Sequence, residues 1–194
     1  ASFTVAAMEA SGLKALELAF RAVSRGEMPA ALVVATDMGT SHRAASQRQE
    51  RYGKLWSEGL DDSVAVLLME EQKAIAAGLP IAIVLDDFSE FVADLDLPLT
   101  EGTLWLEDIN RDMNWVKGLG HPHKRLVEEE GNGYRGAAHG LSSLVRIWQQ
   151  PAKVNGRASF LLRDQKLHHV SWFQKTSLTV QKNPLPQTGA YTIA

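Results

Sequence analysis

The sequence predicts an α/β fold in which a mixed sheet is layered with helices. Three features carry this expectation. Short, nearly continuous apolar runs at Ala31–Ala35 and Ser63–Met69 have strand length and the pattern of strands buried on both faces. Strand and helix signals alternate through the first half, the order of an α/β sheet with helices packed on its faces. Near the end, Arg157–Arg163 and Leu167–Phe173 flank Asp164-Gln165-Lys166 as a β-hairpin, which makes the sheet mixed.

Residues 10–25 read as an amphipathic helix, because Leu13, Leu16, Phe20 and Val23 recur at spacings of three and four. Gly26 suits the C-terminal cap, and Arg21 and Arg25 suit the negative end of the helix dipole. The strand Ala31–Ala35 follows. Residues 40–57 are polar and rich in Arg and Gln, which reads as a surface loop or an exposed helix. After the strand at Ser63–Met69, a short helix runs from Glu70 to Ala77 and stops at Gly78, and Pro80–Leu85 forms the third strand. The acidic stretch Asp86–Glu101 reads as an exposed connection. Thr103–Ile109 carries a weaker strand pattern, and residues 110–132 read as loop. Gly136–Trp148 is a second helix with Leu141, Leu144, Val145 and Trp148 on one face, ended by Pro151. The tail, with Pro184, Pro186 and Gly189, reads as irregular. One domain over residues 1–194 accounts for all of this.

Composition narrows the function classes. The chain has 194 residues, 45% apolar and 22% charged, with a net charge of −3. No basic run provides the concentrated positive face that nucleic acid requires, so no nucleic-acid role is expected. No apolar run reaches the roughly 20 residues needed to span a bilayer, so no membrane role is expected. The absence of cysteine excludes disulfides, thiolate metal sites and a cysteine nucleophile, and fits a cytoplasmic protein. No signal peptide is visible. Neither a metal nor a cofactor is expected.

Three segments carry a family resemblance. Ala7-Met8-Glu9-Ala10-Ser11-Gly12-Leu13-Lys14-Ala15-Leu16 resembles the nucleophile turn of ketoacyl synthases. There a strand ends in a cysteine, followed by a small residue, Ser or Thr, Gly and a long helix. A helix N-terminus favours a thiolate through its dipole and free backbone N–H groups. Asp61–Glu70 with Ala74–Gly78 resembles the family's Gly-rich strand and following helix. Gly133-Tyr134-Arg135-Gly136-Ala137-Ala138-His139-Gly140-Leu141 resembles its Gly-His turn before an Ala-rich helix. The resemblance covers about half of the chain and implies a reduced thiolase-like fold. It also implies that the chain is the downstream part of something longer, since the region upstream of the nucleophile strand is absent.

The departures from the family pattern fall on its chemistry. Glu9 stands at the cysteine position and Tyr134 at one histidine position, while the second histidine falls near Ile109. Val170–Lys175 replaces the Phe/Gly-rich gating loop. A carboxylate cannot hold an acyl chain by transthioesterification. The chain therefore resembles chain-length factors, the non-catalytic relatives that pair with an active ketosynthase and shape its pocket. Diverged examples occur in bacterial polyketide and polyene clusters, including the aryl polyene type. The resemblance implies a heterodimer with an active ketosynthase, contact with acyl carrier protein through that complex, and a role in fatty acid, polyketide or polyene synthesis. Met8, Glu9 and Phe20 are the pocket or interface candidates, and the strand Ser2–Met8 is expected to pair with another chain. The alternative is a small α/β enzyme or binding protein of another class that uses Glu9.

Each singled-out residue also has a plainer reading. Glu9 is either a buried charge reaching across an interface to a partner's Arg or Lys, or an exposed glutamate favoured by the helix dipole. Tyr134 lines a pocket or is an ordinary turn tyrosine. His121 and His123, with His139, lack the helical spacing of a metal site and read as solvated loop histidines. His168 and His169 point to opposite faces of one strand and cannot serve one site. Ser11, Ser142 and Ser143 lack a nucleophile-elbow context. Asp86–Asp87 and Glu128–Glu130 read as solvated charge. Trp105, Trp115, Trp148 and Trp172 are core anchors or partner-surface residues.

Overall fold

The computed structural model describes residues 2, 4–53, 58–91, 103–110, 114, 133, 135–149 and 157–174. Two helices form the middle layer. Helix α1, Ser11–Ser24, continues a short 3-10 turn at Met8–Ala10, and Gly26 closes it at φ +69° with its N–H on the Val23 carbonyl. Lys14, Glu17 and Arg21 make an ion-pair ladder on its polar side. Strand β1, Ala30–Met38, is followed by helix α2, His42–Tyr52, so the polar segment 40–57 holds a helix and not a loop. Strand β2, Asp61–Met69, leads through helix α3, Glu71–Ala76, to strand β3, Ile83–Phe91. Strand β4 is Thr103–Asp108. The second helix of the middle layer, α4, is His139–Gln149, preceded by a 3-10 turn at Gly136–Ala138. Strands β5, Arg157–Arg163, and β6, Leu167–Gln174, form the expected hairpin. Asp164 closes it, accepting the Lys166 backbone N–H at 2.8 Å.

The strands make two sheets. Strands β1 and β2 pair antiparallel, and the other four run in the order β3-β6-β5-β4 with only β4 and β5 parallel. The α1–α4 layer lies between them. A side chain at Gly12 would meet Leu141 Cβ at 2.7 Å and Ala35 Cβ at 3.1 Å. One at Gly140 would meet Leu162 at 2.7 Å and Leu13 at 3.0 Å. These two glycines let α1, α4 and both sheets approach closely. Across the core, Phe20 packs on Phe88 with ring centroids 5.2 Å apart, and Trp105 stacks on Trp172 at 5.5 Å. Trp148 meets Trp172 edge-on at 6.1 Å. Trp105, Trp148 and Trp172 are thus core anchors; Trp115 lies outside the described residues.

Three expectations need correction. The first apolar runs are not buried on both faces. Val33, Ala35, Val64 and Leu68 face α1 and α4, while Leu32 is 67% and Met38 68% exposed, with Val34 and Leu67 beside them. Period-two alternation puts every second residue of a continuous apolar run on the outer face, which no described element covers. Second, β3 starts later and continues through Phe91, so Asp86, Asp87 and Glu90 lie in a strand and not in a connection, while residues 92–102 lie outside the described residues. Their charge is compensated locally. Asp86, at a register shift in β3, pairs with Arg157 and accepts from Ser171 Oγ at 3.1 Å, and Glu90 pairs with Lys166. Third, the described residues among 2–8 form no strand, and Met8 already belongs to the 3-10 turn. The tail beyond Gln174 and residues 115–132 lie outside the described residues.

Candidate functional site

The nucleophile-like turn folds around Ser11. Its hydroxyl accepts the Ala7 backbone N–H at 2.8 Å and donates to the Met8 carbonyl at 2.6 Å. Met8 takes φ +49°, a left-handed conformation unfavourable for a side chain of its size. That bend leaves Met8 partly exposed and turns Glu9 inward, to 2% exposure. A carboxylate this deep needs partners, and α2 supplies them. Arg51 Nη1 donates to Glu9 Oε1 at 3.2 Å, and the Tyr52 hydroxyl donates to the same oxygen. Glu9 is therefore buried, as one of the two readings held, but its cation comes from its own chain and not from across an interface. Around it lies a polar cleft of about 670 Å³, bordered by Met8, Ser11, Asp37, Arg48, Gly136 and Ala137.

The Gly-His-like turn closes the far side of this cleft. Gly136 sits at φ +49°, and the Ala137 N–H donates to Asp37 of β1 at 2.7 Å. His139, at the start of α4, is fully buried and hydrogen-bonded to Glu107 of β4. Its Nδ1 accepts the Arg135 backbone N–H at 3.4 Å, which leaves Nε2–H to donate to the carboxylate. Arg135 Nε reaches Asp62 of β2 at 3.4 Å, and Asp62 also accepts from Ser142. Three carboxylates on three strands thus grip one turn. His139 is not a solvated loop histidine: as the first residue of α4 it is carried into the core. Ile109, directly after β4, is buried, with its N–H on the Arg163 carbonyl at 2.9 Å.

The fold that brings these segments together is similar to that of solved ketosynthase structures. An acyl-carrier protein of a type II polyketide synthase in complex with its ketosynthase, bound to the hexaketide, matches with TM-score 0.68 and 12% identity over 90% of this chain and 60% of that one. An oxazolomycin ketosynthase domain of Streptomyces albus gives 0.69 and 15% over 90% and 46%. A beta-ketoacyl synthase of Burkholderia phymatum gives 0.60 and 12% over 88% and 61%. The fold is the thiolase-like ketosynthase fold. This chain spans between about half and under two thirds of the length of these structures. No protein-family profile and no curated protein sequence matches it.

Within the ketosynthase fold the remaining candidates separate. Phe20 lines a second cleft of about 690 Å³, apolar, at the C-terminal end of α1, with Val23, Leu67, Leu85 and Trp148. Met8 and Phe20 are therefore on different clefts. At the gating-loop position, Val170–Gln174 runs as strand β6 paired to β3. Tyr134, His121 and His123 lie outside the described residues. Among the described residues, no group of three His, Asp or Glu side chains is placed to hold a metal ion. Reading the sequence missed Arg51, Tyr52, Asp37, Asp62 and Glu107. The polar segment of α2 offers no periodic signal for them, but Glu107 had one: a charge next to the apolar Leu104-Trp105-Leu106 run needs a buried partner.

His168 and His169 do face apart. His168 meets Asp164 at 3.2 Å, and His169 Nδ1 meets Ser89 Oγ at 3.2 Å. Burial holds the His169 pKa below its ordinary value, with Arg157 adding to this and Asp87 and Asp86 opposing it. The unfolded chain then binds the extra proton first, so stability falls as pH drops from the ordinary histidine value near 6.5 towards the depressed folded one. Urea midpoints measured at about pH 5 and about pH 8 should differ less in His169→Asn than in wild type.

Proposed function

We propose that this chain is a non-catalytic ketosynthase-like subunit, a chain-length factor, that pairs with an active ketosynthase in the cytoplasm. The observation that carries the reading is the state of the cysteine position. Glu9 lies where the family has its nucleophile, and its carboxylate is engaged by Arg51 and Tyr52. The histidine position at the end of β4 falls near the buried aliphatic Ile109, and Tyr134 stands at the other. At these three positions there is no group to carry an acyl thioester and none to promote malonyl decarboxylation. Partnership with an acyl carrier protein through the complex is supported by analogy with the polyketide synthase complex described above.

The role proposed for the pair is pocket shaping. A bulky side chain at a shared surface limits an acyl chain by excluding volume, since each methylene forced into a filled apolar space costs on the order of 1–3 kcal/mol. Met8, beside Glu9, and Phe20, in the apolar cleft, are the two candidates. Product analysis of the reconstituted pair tests them. Met8→Ala or Phe20→Ala should lengthen the product without abolishing synthesis, and the variant that does so identifies the cleft facing the growing chain. Unchanged lengths in both, with the complex intact, would leave only a stabilising role.

A further inference from the structure

We propose that α2 is a lid over the polar cleft, latched at its C-terminal end by Glu9. The helix sequence, His-Arg-Ala-Ala-Ser-Gln-Arg-Gln-Glu-Arg-Tyr, has no apolar stripe, and Arg48 is its only buried residue. Tyr52 alone of its side chains packs against the hydrophobic core, so the position of the helix depends mainly on polar contacts. At the N-terminal end these tie the turn before α2 to β2 and to the end of β1. The Thr40 N–H and hydroxyl donate to Asp61 at 2.9 and 2.8 Å, Ser41 caps the Ala44 N–H at 3.2 Å, and Arg48 donates to the Gly39 carbonyl at 2.9 Å. At the C-terminal end, Arg51 and Tyr52 reach out of the helix to Glu9, 42 and 43 positions away in sequence. Directly after Tyr52, Gly53 takes φ +57° and ψ −126°, a conformation glycine adopts freely and other residues resist.

One end is therefore pinned to the β1–β2 sheet, and the other is closed onto the body by a carboxylate contact beside a glycine that takes a positive φ. Beneath it lie Ser11, Asp37 and the Gly136–Ala137 turn, the same cleft where the ketosynthase resemblance converges. Glu9 thus acts as the latch of a closed lid. This assignment stands independently of any partner subunit.

Hydrogen–deuterium exchange on the full chain tests it. Glu9→Gln keeps the size of the side chain and removes its charge. It should raise exchange of the α2 amides from Ala45 to Tyr52 about tenfold or more, the scale of losing a charge-assisted hydrogen bond, while the α1 amides stay within about twofold of wild type. Unchanged α2 exchange would overturn the proposal. So would an equal rise in α1 and α2, which would make Glu9 part of the cooperative core. If Glu9→Gln does not fold, Tyr52→Phe keeps the ring in place and removes one hydroxyl. A rise confined to α2, of about threefold, is then expected, and no rise overturns the proposal.

Discussion

Glu107→Ala should destabilise the protein by about 1–3 kcal/mol, a large effect for a substitution outside the apolar core. Glu107 holds His139, which is fully buried at the first turn of α4. Removing the carboxylate leaves the imidazole N–H without its acceptor in a site that water does not reach, so the desolvation cost remains and the compensation is lost. The damage should spread. His139 also accepts the Arg135 N–H, and Arg135 reaches Asp62, so the turn that closes the cleft loses one of its three anchors. Glu107→Gln retains an acceptor oxygen and should cost less. Chemical denaturation measures both, as a shift of midpoint at constant slope. A loss below about 1 kcal/mol for Glu107→Ala would mean that the pair is not a buried anchor.

Gly12→Val should cost at least as much. A Cβ there meets Leu141 Cβ at 2.7 Å, a distance that real Cβ atoms do not tolerate, and Ala35 Cβ at 3.1 Å. Both obstacles sit next to backbone, so relief requires moving α4 or β1 bodily. Overpacking of this kind costs about 1–3 kcal/mol, and the branched side chain adds further crowding inside a helix. The expected total is about 3 kcal/mol or more. Gly26 provides the control. It is also a glycine of α1's neighbourhood, but no atom lies within 4 Å of its added Cβ, so Gly26→Ala should cost only about 1 kcal/mol for its positive φ. Equal losses at the two sites would refute the packing argument.

The helices and the hairpin were legible in the sequence because each is specified locally. Leu13, Leu16, Phe20 and Val23 write the α1 stripe, Gly26 ends it, and Asp164-Gln165-Lys166 marks the turn. What was not legible depends on pairing between distant segments. Asp86 and Glu90 read as solvated because Arg157 and Lys166, which neutralise them, lie about seventy positions away. The outer face of β1 and β2 read as buried because an apolar run shows that a strand is apolar, not which of its faces is covered. At the site, the proposal that Glu9 stands at a nucleophile position rests on the Ala-Ser-Gly that follows it. Its burial and its partners did not, because a polar helix such as α2 carries no periodicity that would dock it anywhere. His139 fell inside the helix expected over Gly136–Trp148, but its burial was not legible because its partner Glu107 lies on a strand 32 positions away.

The central claim is that the chain takes part in condensation without performing it. A condensation assay with acyl- and malonyl-carrier protein, run on the purified chain, on its partner ketosynthase, and on the two together, tests this most directly. The account predicts no product from the chain alone, and none from Glu9→Cys alone, because the thiol would return without the histidines that promote decarboxylation. It predicts product from the pair, abolished when the partner's cysteine is removed and retained when Glu9 is changed to Gln. Turnover by the chain alone, or loss of the pair's product on Glu9→Gln with the complex intact, would contradict it.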